Sequence, residues 1–336
     1  MREQFGSIVL AAYQPDPELF RSQLLSIRSQ SIEDWECVIT VDGDPRPIAE
    51  LVVSSTQGDP RFRVIGDGSR RGFILNFEHG IRAVDPEARW VALSDQDDEW
   101  YPHKLEVLLP HLTEVDLVSA QSRLVEKPSG RVLGVTSRHD PDLVGTLLDN
   151  QFSGSAFVFR PEILSVALPF PTVSTRTAAH DHWLAVVAAS GRGTRMLPDV
   201  LQDYVQHQGN VFGDPSGMTG PGGPLGSVRT AFDLAQKWEG SRSPFALARM
   251  VFWLNVGWRQ LLADTLIQRT DLGTSARLAE IDSYFSAARR FSALHRLLRQ
   301  AVTDGRVSRR FRLEYLASWF AGILVRGRAL VRRVRG

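Results

Sequence analysis

Through about residue 120, short apolar runs alternate with stretches whose apolar residues recur at helical spacing. The pattern predicts strands near 7–12, 36–41, 62–65, 90–94 and 115–120, and helices over 17–30, 47–56, 73–84 and 103–112. The first helix is the best signalled. Asp16 stands at its N-cap, Pro17 opens it, and Leu19, Phe20, Leu24 and Ile27 mark one face. Strand and helix alternation predicts an α/β fold with a mostly parallel, doubly wound sheet, whose ligands bind at the carboxyl ends of the strands. Chemistry is therefore sought in the residues that directly follow each strand.

From 120 to 210 the alternation weakens, leaving short strands around 131–135, 155–159 and 199–206 and a helix beginning near His180. Residues 213–226 hold six Gly and three Pro, a composition with no means of building a core, which reads as a loop that closes over a ligand or as a linker. Beyond it the pattern is helical, over 228–238, 244–268, 275–303 and 307–334. The expected organisation is an α/β domain over 1–212, a Gly/Pro-rich segment over 213–226 and a helical C-terminal region over 227–336.

Composition is that of an ordinary globular protein: 336 residues, 43% hydrophobic and 23% charged, which excludes collagen-like, disordered and disulfide-scaffold classes. The single cysteine, Cys37, lies in the apolar run Cys37-Val38-Ile39 and reads as a buried strand thiol, pointing to a reducing, cytoplasmic compartment. No apolar stretch reaches the length of a membrane-spanning helix, about 18 residues. The net charge of +1 conceals a division. Residues 306–336 carry nine Arg and one acid, Glu314, while the rest of the chain has 30 basic against 37 acidic residues. A basic end on an acidic body points to an anionic partner at the C-terminus.

After the fourth strand comes Ser94-Asp95-Gln96-Asp97-Asp98-Glu99-Trp100. Acids this close repel one another unless a cation or protons compensate, and hard oxygen ligands suit Mg²⁺ or Mn²⁺ held by one or two carboxylates plus substrate phosphates. The competing reading is a solvated acidic turn. The first strand runs into Tyr13-Gln14-Pro15 and the second into Asp42-Gly43-Asp44, while Arg70-Arg71-Gly72 opens the third helix, which carries Asn76. Asp42 is placed to accept hydrogen bonds from a nucleobase and Arg71 to pair with a diphosphate, against plainer readings as a turn residue and a solvated cation.

In this order Tyr13, Ser26-Ile27-Arg28-Ser29-Gln30-Ser31, Asp42-Gly43, Gly72 with Asn76, and Asp95 to Trp100 with Lys104-Leu105 resemble the family 2 glycosyltransferases of GT-A fold. Within them the set resembles the rhamnosyltransferase-like branch that builds bacterial surface polysaccharide. Phe152-Ser153-Gly154-Ser155-Ala156 is similar to the family's acceptor-side strand, His180-Asp181-His182-Trp183-Leu184 to the segment bearing the catalytic base, and Tyr204 to Gly213 to its closing element. The resemblance covers about residues 6–213.

It implies a GT-A domain with a helical C-terminal extension and an inverting, metal-dependent transfer from a nucleotide-diphosphate sugar to a glycan or lipid-linked acceptor. Donor contacts would come from Tyr13, Asp42, Arg71, Asn76, Asp95 and Asp97, and Mn²⁺ or Mg²⁺ would be held by Asp97 and Asp95, with His207 as a third ligand. Asp181 would be the general base, and Trp100, Gly154, His182 and Trp183 would lie on the acceptor side. Asp44, standing where the family commonly has Ser, leaves the nucleobase open, and Val205 and Gln208 depart from the pattern around His207. The competing readings are a sugar nucleotidyltransferase, which would be expected to show a Gly-rich basic phosphate loop where this chain has Tyr13 to Pro17, and a non-catalytic nucleotide-sugar-binding scaffold.

The basic tail places Leu316, Trp319, Phe320, Ile323, Leu330, Val331 and Val334 at helical spacing among its arginines. Its uninterrupted apolar part, Tyr315 to Val325, is too short to cross a bilayer. Two readings stand: a helix lying on an anionic membrane surface, making the protein peripheral on the inner face of the cell membrane, or a helix packed on 228–303 with a solvated Arg face. Nucleic acid is not expected as a partner, because no recognition fold accompanies the charge.

Overall fold

The computed structural model describes residues 5–127, 129–171, 179–206, 239–270 and 291–334, together with 232–233, 235–236, 279 and 281, and the side chains of the last helix through Ile323. His207, the 213–226 segment, most of the helix expected over 228–238 and most of the 275–290 part of the helix expected over 275–303 lie outside the described residues.

The strands are β1 (Gly6–Ala12), β2 (Trp35–Val41), β3 (Phe62–Ile65), β4 (Val91–Ser94), β5 (Glu99–Trp100), β6 (Leu117–Glu126), β7 (Arg131–Val135), β8 (Phe157–Phe159) and β9 (Thr194–Gln206). Between them run α1 (Pro17–Arg28), α2 (Arg46–Thr56), α3 (Phe73–Arg82), α4 (Lys104–Leu108), α5 (Leu143–Leu148), α6 (Leu164–Ala167) and α7 (His180–Ser190). The strands form one sheet in the order β3-β2-β1-β4-β8-β6-β9-β5, with β7 paired to β6. The β3-β2-β1-β4 portion is parallel, and β8 enters antiparallel between β4 and β6. β9 pairs parallel with β6 and antiparallel with β5.

The central parallel strands β1 and β2 have no solvent face. Ile8, Val9 and Leu10 of β1 and Cys37, Val38 and Ile39 of β2 are all buried, which is why these strands read as continuous apolar runs. Cys37 is a core thiol, and burial pushes it far above the ordinary thiol range. Helix α1 forms as its sequence signals. The Asp16 side chain accepts from the N–H groups of Glu18 (3.0 Å) and Leu19 (3.1 Å), and Phe20, Leu24 and Ile27 are buried in the core. Register places the ends of three strands together: Ala12 pairs with Val41, and Leu10 with Ser94. Tyr13, Asp42 and Asp95 are thus the first residues past one common edge.

The chain divides into two compact units. The first holds the sheet and comprises 1–146, 150–170 and 179–209; the second comprises 147–149, 171–178 and 210–336. In the second unit, α8 (Pro244–Phe252) is capped by Ser243, whose hydroxyl accepts from the Ala246 N–H at 3.1 Å. It continues through a π-helical turn, Trp253–Gly257, into α9 (Trp258–Arg269); α10 (Phe291–Thr303) and α11 (Arg309–Val334) follow. α8 and α11 pack closely where Gly322 meets the Phe252 ring, and a Cβ at Gly322 would collide with that ring.

Candidate active site

Past β2, the Asp42 carboxylate accepts from the backbone N–H groups of Arg71 (2.5 Å) and Gly72 (3.1 and 3.2 Å), with Arg70 Nε 3.4 Å away. Gly72 caps α3 at φ +81°, a conformation that costs glycine little and other residues much, so the turn depends on it. Arg70 Nη1 donates to the Tyr13 hydroxyl (2.9 Å), and its guanidinium lies 4.1 Å over the Tyr13 ring. The Tyr13 N–H in turn donates to Gln96 Oε1 (2.8 Å). Tyr13, Asp42, residues 70–72 and the acidic loop therefore form one connected rim.

Two predicted donor residues take different places in it. Arg71 contributes its backbone N–H to Asp42, while its guanidinium pairs with Asp67 at 2.6 Å and keeps Nη1 buried with no hydrogen-bond partner among the described residues. Asn76 is 2% exposed and exchanges two hydrogen bonds with Thr40, accepting from its hydroxyl (2.8 Å) and donating to its carbonyl (2.9 Å). Its polar atoms clamp α3 to β2, so it supports the rim from behind.

The acidic loop is held from below by α1. Gln23 Nε2 donates to Ser94 Oγ (2.6 Å), the Ser26 hydroxyl accepts from the Trp100 N–H (3.0 Å), and Gln30 donates to the Tyr101 carbonyl (2.8 Å) while accepting from the Leu105 N–H (3.2 Å). These buried polar groups give the Ser26 to Gln30 stretch a reason to exist. Ser26 and Gln30 satisfy backbone groups just after the loop, at Trp100, Tyr101 and Leu105, that water does not reach.

Within the loop the acids are crowded. Withdrawal from solvent and the charges of Asp98, Asp97 and Asp181 push the Asp95 carboxyl well above the carboxylate range, only partly opposed by Lys104. Burial, with Asp97 adding to it, pushes Asp98 up to about 7 against hydrogen bonds from Ser155 and Val205. Beneath them Lys104 is fully buried, donates to the Ser155 carbonyl (2.5 Å) and Gln202 Oε1 (2.7 Å), and sits 3.6 Å over the Trp100 ring. Desolvation drives its ammonium well below the usual lysine range, while Asp98 and Asp95 pull it back up. One buried cation does not neutralise this set, and the remaining negative charge with its hard oxygen donors fits a divalent ion. Among the described residues no group of three or more His, Cys, Asp or Glu forms a ready cage, whereas a magnesium-type site needs only one or two carboxylates with substrate phosphates.

Asp181 opens α7, in its first turn. Its carboxylate accepts from the His182 N–H (2.6 Å) and from Asn150 and the Gly154 N–H, and Arg138 lies near enough to favour its charge. Burial outweighs them and pushes it up to about 6. Its charge in turn raises Asp95, so the helix-borne acid and the strand-end acids act in one electrostatic field. The neighbouring His180 stacks on Phe77 (4.1 Å between centroids, 18°) and meets the edge of Phe73, and burial lowers it to about 3. Gly154 lies against this ring, and a Cβ there would fall 2.8 Å from His180 Nε2.

Three residues expected on the acceptor side are buried. Trp100 and Trp183 are 2% and 0% exposed, and the Trp183 indole donates to the Ala167 carbonyl (2.8 Å). His182 is buried with Nε2 against the Thr146 carbonyl (2.8 Å). α7 is covered from His182 through Ala189, which buries His182 and Trp183, while Trp100 of β5 packs into the sheet core with Lys104 over its ring. Conversely, the sequence reading passed over Arg70, Asp98, Lys104 and Gln202. Arg70 stood beside the arginine chosen for the donor, and Asp98 and Lys104 were quoted as pattern without a role. Gln202 lies in a strand whose alternation gives no hint of a buried amide.

The family model Glycosyl transferase family 2 matches residues 7–163, slightly less than half of the chain. The succinoglycan biosynthesis protein ExoW of Rhizobium meliloti is 29% identical over 116 residues, covering 33% of this chain and 34% of that protein, so the match spans about a third of each. Among solved structures, S. aureus TarS 1–349 in complex with UDP-GlcNAc aligns over 95% of this chain and 92% of its own, with TM-score 0.52 and 14% identity. The complex of TarS 1–349 with UDP aligns over 96% and 88%, with TM-score 0.53 and 13% identity. Together with the strand-end site, these likenesses establish that the chain has the GT-A fold with helices at its C-terminus, and that its residues 7–163 match glycosyl transferase family 2.

Proposed function

We propose that the protein is an inverting, metal-dependent glycosyltransferase of surface-polysaccharide synthesis, moving a sugar from a nucleotide-diphosphate donor to a hydroxyl of a glycan or lipid-linked acceptor. The observation that carries this reading is the meeting of two carboxylate groups of different character, Asp95 to Asp98 at the strand edge and Asp181 at a helix start, in one field. The family match and the succinoglycan relative support sugar transfer in polysaccharide synthesis, and the branch resemblance points to rhamnose as the sugar.

Tyr13, Asp42 and Arg70 form the donor's nucleoside side, with Asn76 holding them in place, and Arg71, whose buried Nη1 has no hydrogen-bond partner among the described residues, is the cation that pairs with the diphosphate. Asp97 and Asp95 would hold Mn²⁺ or Mg²⁺, with His207 as a further ligand. When bound, the ion supplies positive charge where the leaving diphosphate gains negative charge. Asp181 takes the acceptor hydroxyl proton while that oxygen attacks the anomeric carbon and the bond to the diphosphate breaks on the opposite face, which inverts the centre. A carboxyl raised to about 6 is mostly ionised at pH 7 yet more basic than an ordinary aspartate, which suits a base. Gly154 donates its N–H to the Asp181 carboxylate and, lacking a Cβ, lets the His180 ring lie against it, so it holds the base in position.

A thermal-shift screen of dTDP-, UDP- and GDP-sugars with Mn²⁺ or Mg²⁺ tests this reading. One nucleotide is expected to stabilise the wild type only with the ion, and Asp97→Asn is expected to lose that shift. Equal stabilisation of both proteins without metal would overturn the metal assignment.

A further inference from the structure

Helix α11 divides its apolar residues between two faces. Tyr315, Ser318, Trp319 and Gly322 are buried; Ser318 Oγ accepts from Asn255 Nδ2 (3.0 Å), and Trp319 lies 5.7 Å from the Phe291 ring. On the other side Leu313 is 65% exposed, Phe320 49% and Ile323 46%. Leu313 and Phe320 stand seven residues apart, two helical turns, on a face opposite Tyr315 and Gly322. Phe291, itself 42% exposed, lies 5.2 Å from Phe320 and widens the stripe. The membrane-lying and packed readings of this helix are thus not exclusive: one face packs, and a second apolar face is exposed.

An open apolar stripe of this kind calls for an occupant, and its surroundings identify one. Arg309 and Arg310 are exposed at the start of the helix, and residues 306–336 carry nine Arg against one acid, Glu314, which is already paired with Arg310 at 2.8 Å. A second copy of the same face would bring like charges together, whereas an anionic lipid surface matches both the apolar stripe and the arginines. Among the described residues no helix is long and apolar enough to cross a membrane, so this one would lie along it.

We infer that the outward face of α11, formed by Leu313, Phe320 and Ile323 with its flanking arginines, docks the protein on an anionic lipid surface. The inference is independent of the transfer chemistry. Full-length protein is sedimented with vesicles of phosphatidylglycerol and phosphatidylcholine, and with phosphatidylcholine alone. The wild type is expected to sediment with the anionic vesicles and to be released by about 0.5 M salt. Leu313→Gln/Phe320→Gln/Ile323→Gln is expected to bind at least about tenfold more weakly, with unchanged thermal unfolding because the three positions are exposed. Arg309→Gln is expected to weaken binding about fivefold. If the triple variant unfolds at lower temperature, Phe320→Gln alone serves the same comparison. Wild-type protein that ignores anionic vesicles, or a triple variant that binds like wild type, overturns the proposal. A solution dimer abolished by the triple variant, with no vesicle binding, overturns it in favour of a second copy.

Discussion

Asp42 and the Asp95 to Asp98 loop lie past β2 and β4, the two strands that flank β1, yet they are solvated by the protein in opposite ways. The Asp42 carboxylate is met by two backbone N–H groups and an arginine, so its charge is answered inside the fold. In the loop, the same residue type is stacked against its own kind, with one buried lysine beneath. The difference teaches how to read strand-end carboxylates: a satisfied one builds the frame, and an under-compensated cluster is where a ligand's positive charge belongs.

If that division holds, the largest effect should come from the loop. Asp97→Asn is expected to lower transfer about 10³-fold or more, measured as nucleoside diphosphate release at saturating divalent ion, while leaving the fold intact. Asp181→Asn should lower kcat by about 10² to 10⁴-fold with donor KM little changed. In the wild type, kcat should rise through about pH 6 as the Asp181 carboxyl ionises and becomes able to accept a proton, and that rise should vanish in the variant. A variant whose pH profile is unaltered would remove Asp181 from the role of base.

Lys104→Met tests the buried compensation. Leaving the neighbouring acids without their cation should cost about 3 kcal/mol in denaturant unfolding, and adding Asp98→Asn should recover part of the loss. On the satisfied side, Asp42→Ala should cost about 2 kcal/mol and raise donor KM, because two backbone N–H groups lose their acceptor. The smallest change is Ser26→Ala, about 1 kcal/mol, from the orphaned Trp100 N–H. Should Ser26→Ala disturb donor KM more than Asp42→Ala, the assignment of frame and site would be reversed.

How far the sequence carried depends on whether a residue's role is local. Helix α1 was legible because its cap, its opening proline and its apolar spacing lie within twelve positions, and β1 and β2 because full burial makes them uniformly apolar. The acids of 95–98 and Asp181 stand out in the sequence because ordered motifs mark strand ends and helix starts. Trp100, His182 and Trp183 could not be placed from sequence, because an aromatic beside a motif looks the same whether it faces ligand or core; all three are buried. Lys104 was not recognised because a charged residue in a helix normally signals solvent. Its burial is justified by Ser155 and Gln202, partners about 50 and 100 residues away. The two-faced character of α11 was similarly hidden, since one helical spacing fits either face.

The central claim is that Asp181 accepts the proton of the acceptor while the strand-end acids serve the donor. The most direct measurement is nucleoside diphosphate release from the donor that stabilises the protein, with acceptor present, for wild type and Asp181→Asn at pH 7. The account predicts release by the wild type, a loss of at least about 10²-fold in the variant, and undiminished donor binding by thermal shift. Release by Asp181→Asn at the wild-type rate would contradict it.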